Sequence, residues 1–211
     1  MRVGFATIRG LGIAWFALLC GAFVPEASAN PTSDAIALYK QKRYAEALAA
    51  FQQIVASNPS NASACYFLAM SLEHTPGYSM DDARSWLDKA VKNAPGKETY
   101  LAEYAGISML IADRDSSFII AVEGREALAK AIALDPSDVE AREGMMQFCA
   151  KAPWPLGDAD KAMSIAADIG ITDPKRGATD YLLIADIFDK QDRKDKALEA
   201  NQAAQKLAQQ R

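Results

Sequence analysis

Few residues in this sequence could do acid–base, nucleophilic or metal chemistry. His74 is the only histidine, and no nucleophile motif, phosphate-binding glycine loop or Cys-x-x-Cys pair accompanies it. The acidic pairs Asp81-Asp82 and Asp158/Asp160 stand where helices are predicted to begin, and carboxylates there favour the helix dipole. We therefore predict a protein that is not an enzyme, with no catalytic, cofactor-binding or metal-binding residues.

A pattern of four residues at fixed spacing recurs along the chain and indicates its fold. Its first copy is Ala47, Phe51, Ile54 and Pro59, at offsets of four, seven and twelve. Three further full copies and one partial copy follow: Ala83, Leu87, Ala90 and Pro95; Gly124, Leu128, Ala131 and Pro136; Ala162, Ala166, Ile169 and Pro174; and Ala197, Asn201 and Ala204. Offsets of four and seven place the first three positions on one helical face. Each copy is thus predicted to be a helix whose unit closes at its proline.

The pattern resembles the second helix of the tetratricopeptide repeat, a helix–turn–helix unit of about 34 residues. The first-helix marks of that family are matched in three copies by Cys65, Leu68, Ala69 and Leu72; Leu101, Tyr104, Ala105 and Ser108; and Tyr181, Ile184, Ala185 and Phe188. A fourth copy, with Arg142 and Met146, departs at two marks, and the first matches only near its end, at Leu38.

The resemblance implies an all-α fold, a right-handed superhelical α-solenoid of about five repeats. Their predicted limits are near 30–61, 62–97, 98–138, 139–177 and 178–211.

The segment 1–29 has the organisation of a secretory signal peptide. Two arginines precede a 14-residue apolar run, 11–24, and an Ala-Ser-Ala site ends at Ala29. A bilayer-spanning helix needs about 20 apolar residues, so we predict cleavage after Ala29 rather than an uncleaved anchor. Lipidation at Cys20 is the other alternative, although the large Leu19 departs from the usual lipoprotein pattern.

The charge balance of the remaining chain does not favour nucleic acid as a partner. Without residues 1–29, the 23 basic and 27 acidic side chains lose two arginines and Glu26, which leaves a net charge of −5. No lysine and arginine cluster with interleaved aromatic residues is present.

Cys65 and Cys149 occupy core marks of first helices that lie two repeats apart. Adjacent helices are about 8–10 Å apart, whereas a disulfide needs Cα atoms within about 7 Å. We predict two buried, unpaired thiols rather than a disulfide.

In the family that this chain resembles, first-helix residues off the core stripe line the concave face. Here they are Tyr39, Lys40, Tyr66, Phe67, Met70, His74, Met109, Leu110, Glu143, Gln147, Asp186 and Asp189. Aromatic and methionine residues of the first three repeats would suit an amphipathic helix or an extended apolar segment. The lysine, arginine and asparagine clamp with which some family members hold a carboxylate is absent.

The predicted partner-binding residues are Tyr39, Tyr66, Phe67, Met70, Met109 and Trp154. Tyr66 and Met70 lie four apart and share one face, so Tyr66→Ala is expected to release a partner without changing the melting temperature much. In the alternative interpretation, Phe67 and Leu110 simply pack inside.

The turns inside repeats two, three and four are predicted to be longer than standard and to project from one edge, with helical extension taking up part of the extra length in repeat three. Trp154, between two prolines, is the most conspicuous residue there, and it could equally be a lid over the helix ends of repeat four. The concave groove and the lengthened turns therefore both remain candidates for binding.

Together these patterns predict an exported, periplasmic protein-interaction scaffold or assembly factor of the bacterial cell envelope. Its partner would be a protein or peptide. No cofactor, small-molecule substrate or nucleic acid is expected. Association with a membrane is expected only if Cys20 is lipidated. The alternatives are a structural subunit of an envelope complex and an enzyme with its site in the groove.

Overall fold

The computed structural model describes residues 30–153 and 155–209, and all regular secondary structure in these ranges is helical. The helices are α1 (Pro31–Lys40), α2 (Tyr44–Ser57), α3 (Ala62–Glu73), α4 (Met80–Asn93), α5 (Glu98–Asp115), α6 (Phe118–Leu134), α7 (Val139–Lys151), α8 (Ala159–Thr172), α9 (Pro174–Lys190) and α10 (Lys194–Ala208). They form five consecutive helix–turn–helix units, which confirms the prediction of an all-α solenoid. The predicted signal peptide and Trp154 lie outside the described residues.

The second helices bury most helical positions of the recurring pattern, although Ile54 of α2 is only partly buried and Asn201 of α10 is exposed. Ala47 and Phe51 of α2 have no exposed surface, and Gly124 of α6 is also buried. A Cβ atom added to Gly124 would lie 3.3 Å from the carbonyl oxygen of Ala105. The small residue at the head of the pattern therefore lets the two helices of a unit approach closely.

Three of the four prolines in the pattern stand in turns, as expected, but Pro174 begins α9. A proline suits the first position of a helix because the missing N–H has no intrahelical partner there. Asp173 completes this start, since its carboxylate accepts a hydrogen bond from the Arg176 backbone N–H at 3.0 Å. Pro174 was predicted to close repeat four, whereas in the structure it begins the first helix of repeat five.

Polar side chains at the helix starts satisfy backbone donors that have no intrahelical partner. Asp158 accepts from the Lys161 backbone N–H at 2.9 Å, and Asp81 lies in the first turn of α4. These positions agree with the helix-dipole interpretation of the acidic pairs. Asp160 makes a further contact, accepting from Lys196 Nζ at 2.9 Å and so linking repeats four and five.

The long turn predicted within repeat three is instead helical. α5 contains 18 residues and α6 contains 17, with only Ser116 and Ser117 between them. Ser116 has a φ of 52°, which reverses the chain, and the Ser117 hydroxyl accepts from the Ile120 backbone N–H at 3.4 Å. The predicted helical extension therefore takes up nearly all of the extra length in repeat three, and lengthened turns remain in repeats two and four.

A hydrogen-bonded polar cluster at the edge of the core joins repeats two and three. Ser108 is fully buried at a mark where the family has a bulky residue. Its hydroxyl accepts from Arg84 Nε at 2.9 Å, while Arg84 Nη2 donates to the Tyr104 hydroxyl at 2.6 Å and also to Glu123. One arginine of α4 thus bonds the buried Ser108 and the partly buried Tyr104 of α5, and also reaches α6.

First helices pack beside one another along the solenoid, as α1 does on α3, α5 on α7, and α7 on α9. α3 and α5 approach less closely, although the rings of Tyr66 and Tyr100 stack between them at 4.5 Å. This looser spacing leaves room between repeats two and three.

Cys65 and Cys149 are both buried and free, as predicted. Among the described helices, none is long and apolar enough to cross a membrane.

Candidate functional site

An aromatic surface lies on the first helices of repeats one to three. We define it as Tyr39, Tyr66, Phe67 and Tyr100. The Tyr39 ring meets the Phe67 ring edge-on at 5.3 Å, Phe67 meets Tyr66 at 5.1 Å, and Tyr66 stacks on Tyr100. The structure therefore brings together three of the six predicted binding residues, and adds Tyr100, which the sequence analysis did not select.

The members of this aromatic surface are only partly available to a partner. Tyr39, Tyr66 and Phe67 are partly buried, and Tyr100 is buried. Phe67 also stacks on fully buried Phe51 at 5.7 Å, so one of its faces belongs to the core. Withdrawal from water, reinforced by the nearby Glu103 carboxylate, raises the pKa of Tyr66.

His74 borders this surface at the end of α3. It is exposed, and its ring stacks on Tyr44 at 3.7 Å and lies 6.1 Å from Tyr39. This packing gives the histidine a structural role in holding the ends of the first two repeats together.

The predicted methionines lie on the first helices of repeats two and three. Met70 of α3 and Met109 of α5 are both partly buried. Met109 packs towards α6, where its Cγ would be 3.5 Å from a Cβ atom on Gly124. Met109 therefore combines a core contact with a position on the wall of the neighbouring pocket.

A pocket of about 700 Å³ opens between α3, α5, α6 and α7; we call it the α5 pocket. Its apolar walls include Ile107, Met109, Leu110, Phe118, Phe148 and Leu156. Leu110 and Phe118 are each 58% exposed, so the interpretation in which Leu110 packs inside is wrong. Sequence reasoning missed Phe118, whose only signal was its place at the start of an apolar run, Phe118-Ile119-Ile120.

Carboxylates stand on the same side of the molecule. Glu73 and Glu103 line the α5 pocket, and no ion pair joins either of them to another described residue. Partial withdrawal from water raises the pKa of both carboxyls, and the charges of Glu73 and Glu140 raise that of Glu103 further. The surface formed by repeats two and three is therefore acidic as well as apolar.

The acids that were expected to line repeats four and five are mostly neutralised by cations. Glu143 accepts from Arg176 Nη2 at 2.9 Å, Asp186 from Lys190 Nζ at 2.7 Å and Asp189 from Lys194 Nζ at 2.8 Å. These three acids of repeats four and five are therefore paired, whereas Glu73 and Glu103 of repeats two and three have no ion pair among the described residues.

Asp180 of α9 is a separate buried carboxyl. It is 5% exposed, and its Oδ2 has no hydrogen-bond partner among the described residues. Burial and the adjacent Glu143 raise its pKa to about 6. It contributes an electrostatic cost to the fold and does not line the α5 pocket.

A family model described as "Tetratricopeptide repeat" matches residues 34–98. A search of curated proteins gave no significant match. Residues 34–98 therefore match the tetratricopeptide repeat, and all five described helix pairs share its fold.

Solved structures share this fold at low sequence identity. YrrB, described as a tetratricopeptide protein with an unusual peptide-binding site, is 18% identical with a TM-score of 0.67, covering 85% of this chain and 86% of YrrB. MamA from Desulfovibrio magneticus is 14% identical with a TM-score of 0.63, covering 85% and 93%. An O-GlcNAc transferase from Thermobaculum terrenum is 19% identical with a TM-score of 0.54 over 67% of this chain, but only 25% of the transferase is matched.

Proposed function

We propose that this protein is a non-catalytic interaction scaffold of the bacterial cell envelope that binds an apolar or amphipathic protein segment on its first helices. The aromatic surface is the observation that carries the proposal. Tyr39 and Tyr66 are large, partly exposed and held on packed helices, and such aromatic anchors contribute strongly when a partner buries them.

Two further features support this function. Residues 1–29 have the composition of an export signal, which favours an envelope location. YrrB, which has the same fold, is described as having a peptide-binding site, so the architecture is compatible with peptide binding.

The test is site-specific photocrosslinking in the native envelope. A benzophenone amino acid at Met70, beside the aromatic surface, should trap a defined partner, and Tyr39→Ala should weaken that crosslink. The matched control carries the same photoreactive residue at Ile171 of α8, which is 80% exposed on a second helix. Equal crosslinking from both positions, or a crosslink that Tyr39→Ala leaves unchanged, would contradict the proposal.

A further inference from the structure

The α5 pocket is an open apolar space in the wall of the solenoid. Ile107 and Phe148 are almost fully buried at its base, while Leu110 and Phe118 expose more than half of their surface. Such a cluster of large apolar side chains around an accessible cavity is typical of a surface that binds a partner.

Gly106 helps to keep this space open. It lies inside α5, faces the pocket, and a Cβ atom added there would meet nothing within 4 Å. Glycine inside a helix costs about 0.5–1 kcal/mol relative to alanine, and no close approach of a neighbouring backbone requires it here. The missing side chain leaves volume that a partner's side chain can enter.

The charges around the pocket are unbalanced. Glu73, Glu103 and Asp113 line it together with a single cation, Lys151, and none of the four is ion-paired within the described part of the chain. Withdrawal from water raises the pKa of Glu103, and repulsion by the charges of Glu73 and Glu140 raises it further. A cation placed between Glu73 and Glu103 would relieve this repulsion.

We propose that the α5 pocket receives an apolar side chain from a partner protein segment that also carries a lysine or arginine, with the cation held between Glu73 and Glu103. This inference rests on the proposed function and specifies the chemistry of the segment. Charge complementarity selects a basic amphipathic segment, because a neutral one leaves both carboxylates without a counterion and an acidic one is repelled.

The test uses three fluorescent peptides of about 15 residues with high helix propensity. The first carries two leucines on one face with flanking lysines, the second replaces the lysines by glutamates, and the third replaces the leucines by serines. Fluorescence anisotropy at low and high salt measures their affinities for the protein. The first peptide is expected to bind at least about tenfold more tightly than the others, and salt should weaken its binding.

Two variants probe the two halves of the proposal. Gly106→Met fills the pocket and should reduce binding of the leucine–lysine peptide at least about tenfold, while the melting temperature does not fall. Glu73→Gln combined with Glu103→Gln should retain the shape of the pocket but remove the preference for lysine over glutamate. Glu126→Gln, on the exposed side of α6, is the matched charge control and should bind like the wild type.

Equal affinity for the lysine and glutamate peptides, or no effect of Gly106→Met, would overturn the inference. If Gly106→Met leaves peptide binding intact but Tyr39→Ala removes it, the segment binds the aromatic surface. The proposed function would then stand, and the inference about the pocket would fail. The wild type could instead self-associate, and Gly106→Met could abolish that association. This result would assign the pocket to a second copy of the chain and overturn the proposal of a different partner protein.

Discussion

Gly170 of α8 and Gly177 of α9 bring two helix backbones into direct contact. A Cβ atom on Gly177 would lie 2.4 Å from Gly170 Cα and 2.7 Å from its nitrogen. Only a residue without a side chain fits there, because the opposing atoms belong to the backbone and cannot rotate away. The close passage of repeat four against repeat five therefore depends on this pair.

Gly177→Ala is expected to destabilise the protein by about 2–4 kcal/mol, because overpacking forces the two helices apart. Gly106→Ala is the matched control in an open position, and its better helix propensity should stabilise the protein by about 0.5–1 kcal/mol. Urea unfolding followed by circular dichroism gives both values. Similar effects of the two substitutions would contradict the backbone contact.

Asp180→Asn should stabilise the protein in a pH-dependent way. The pKa of Asp180 is about 6 in the folded state against an ordinary value of 3.8, so the cost of its ionisation is absent at low pH. That cost grows as pH rises from about 4 to 6 and is complete above the folded pKa. The gain from Asp180→Asn should therefore be about 2 kcal/mol larger at neutral pH than near pH 4.

Thermal unfolding across this pH range measures the difference. Asp186→Asn is the control, since Asp186 forms an exposed ion pair with Lys190 that contributes little. If Asp180→Asn increases the stability equally at about pH 4 and at neutral pH, ionisation of the buried carboxyl does not destabilise the fold.

Tyr66→Ala is expected to affect both binding and stability. The stacking of Tyr66 on Tyr100 joins α3 to α5, and an aromatic pair contributes about 0.5–1.5 kcal/mol beyond the area that it buries. The sequence alone suggested a nearly unchanged melting temperature, whereas the stacked geometry leads us to expect a fall of several degrees. Tyr66→Phe, which keeps the ring, should restore the melting temperature; failure to do so would mean that the ring stack is not the cause.

The exported protein is expected to begin at Asn30. Cleavage after Ala29 removes the apolar run and both arginines before the first helix, whose first residue is Pro31. Intact mass spectrometry of protein from the native envelope measures the start directly. A chain that begins at a lipid-modified Cys20, or one that retains Met1, would contradict the prediction.

The helices and their pairing could be predicted because their determinants are local. Ala47, Phe51 and Ile54 define one helical face by spacing alone. Asp158 caps the start of α8 with its own side chain, and Asp81 lies in the first turn of α4. The same local reasoning did not predict that Pro174 begins α9, because a proline can either follow a helix or begin one.

The sequence by itself determined that this chain is an all-helical repeat solenoid, and it selected an aromatic surface on the first helices. Only the tertiary structure decided that Tyr66 stacks on Tyr100, that Glu73 and Glu103 share one pocket, and that Phe118 is exposed at its wall. Periodicity states which face of each helix is apolar. Whether side chains from different repeats meet depends on the spacing and angle between helices, which arise from the packing of the whole solenoid.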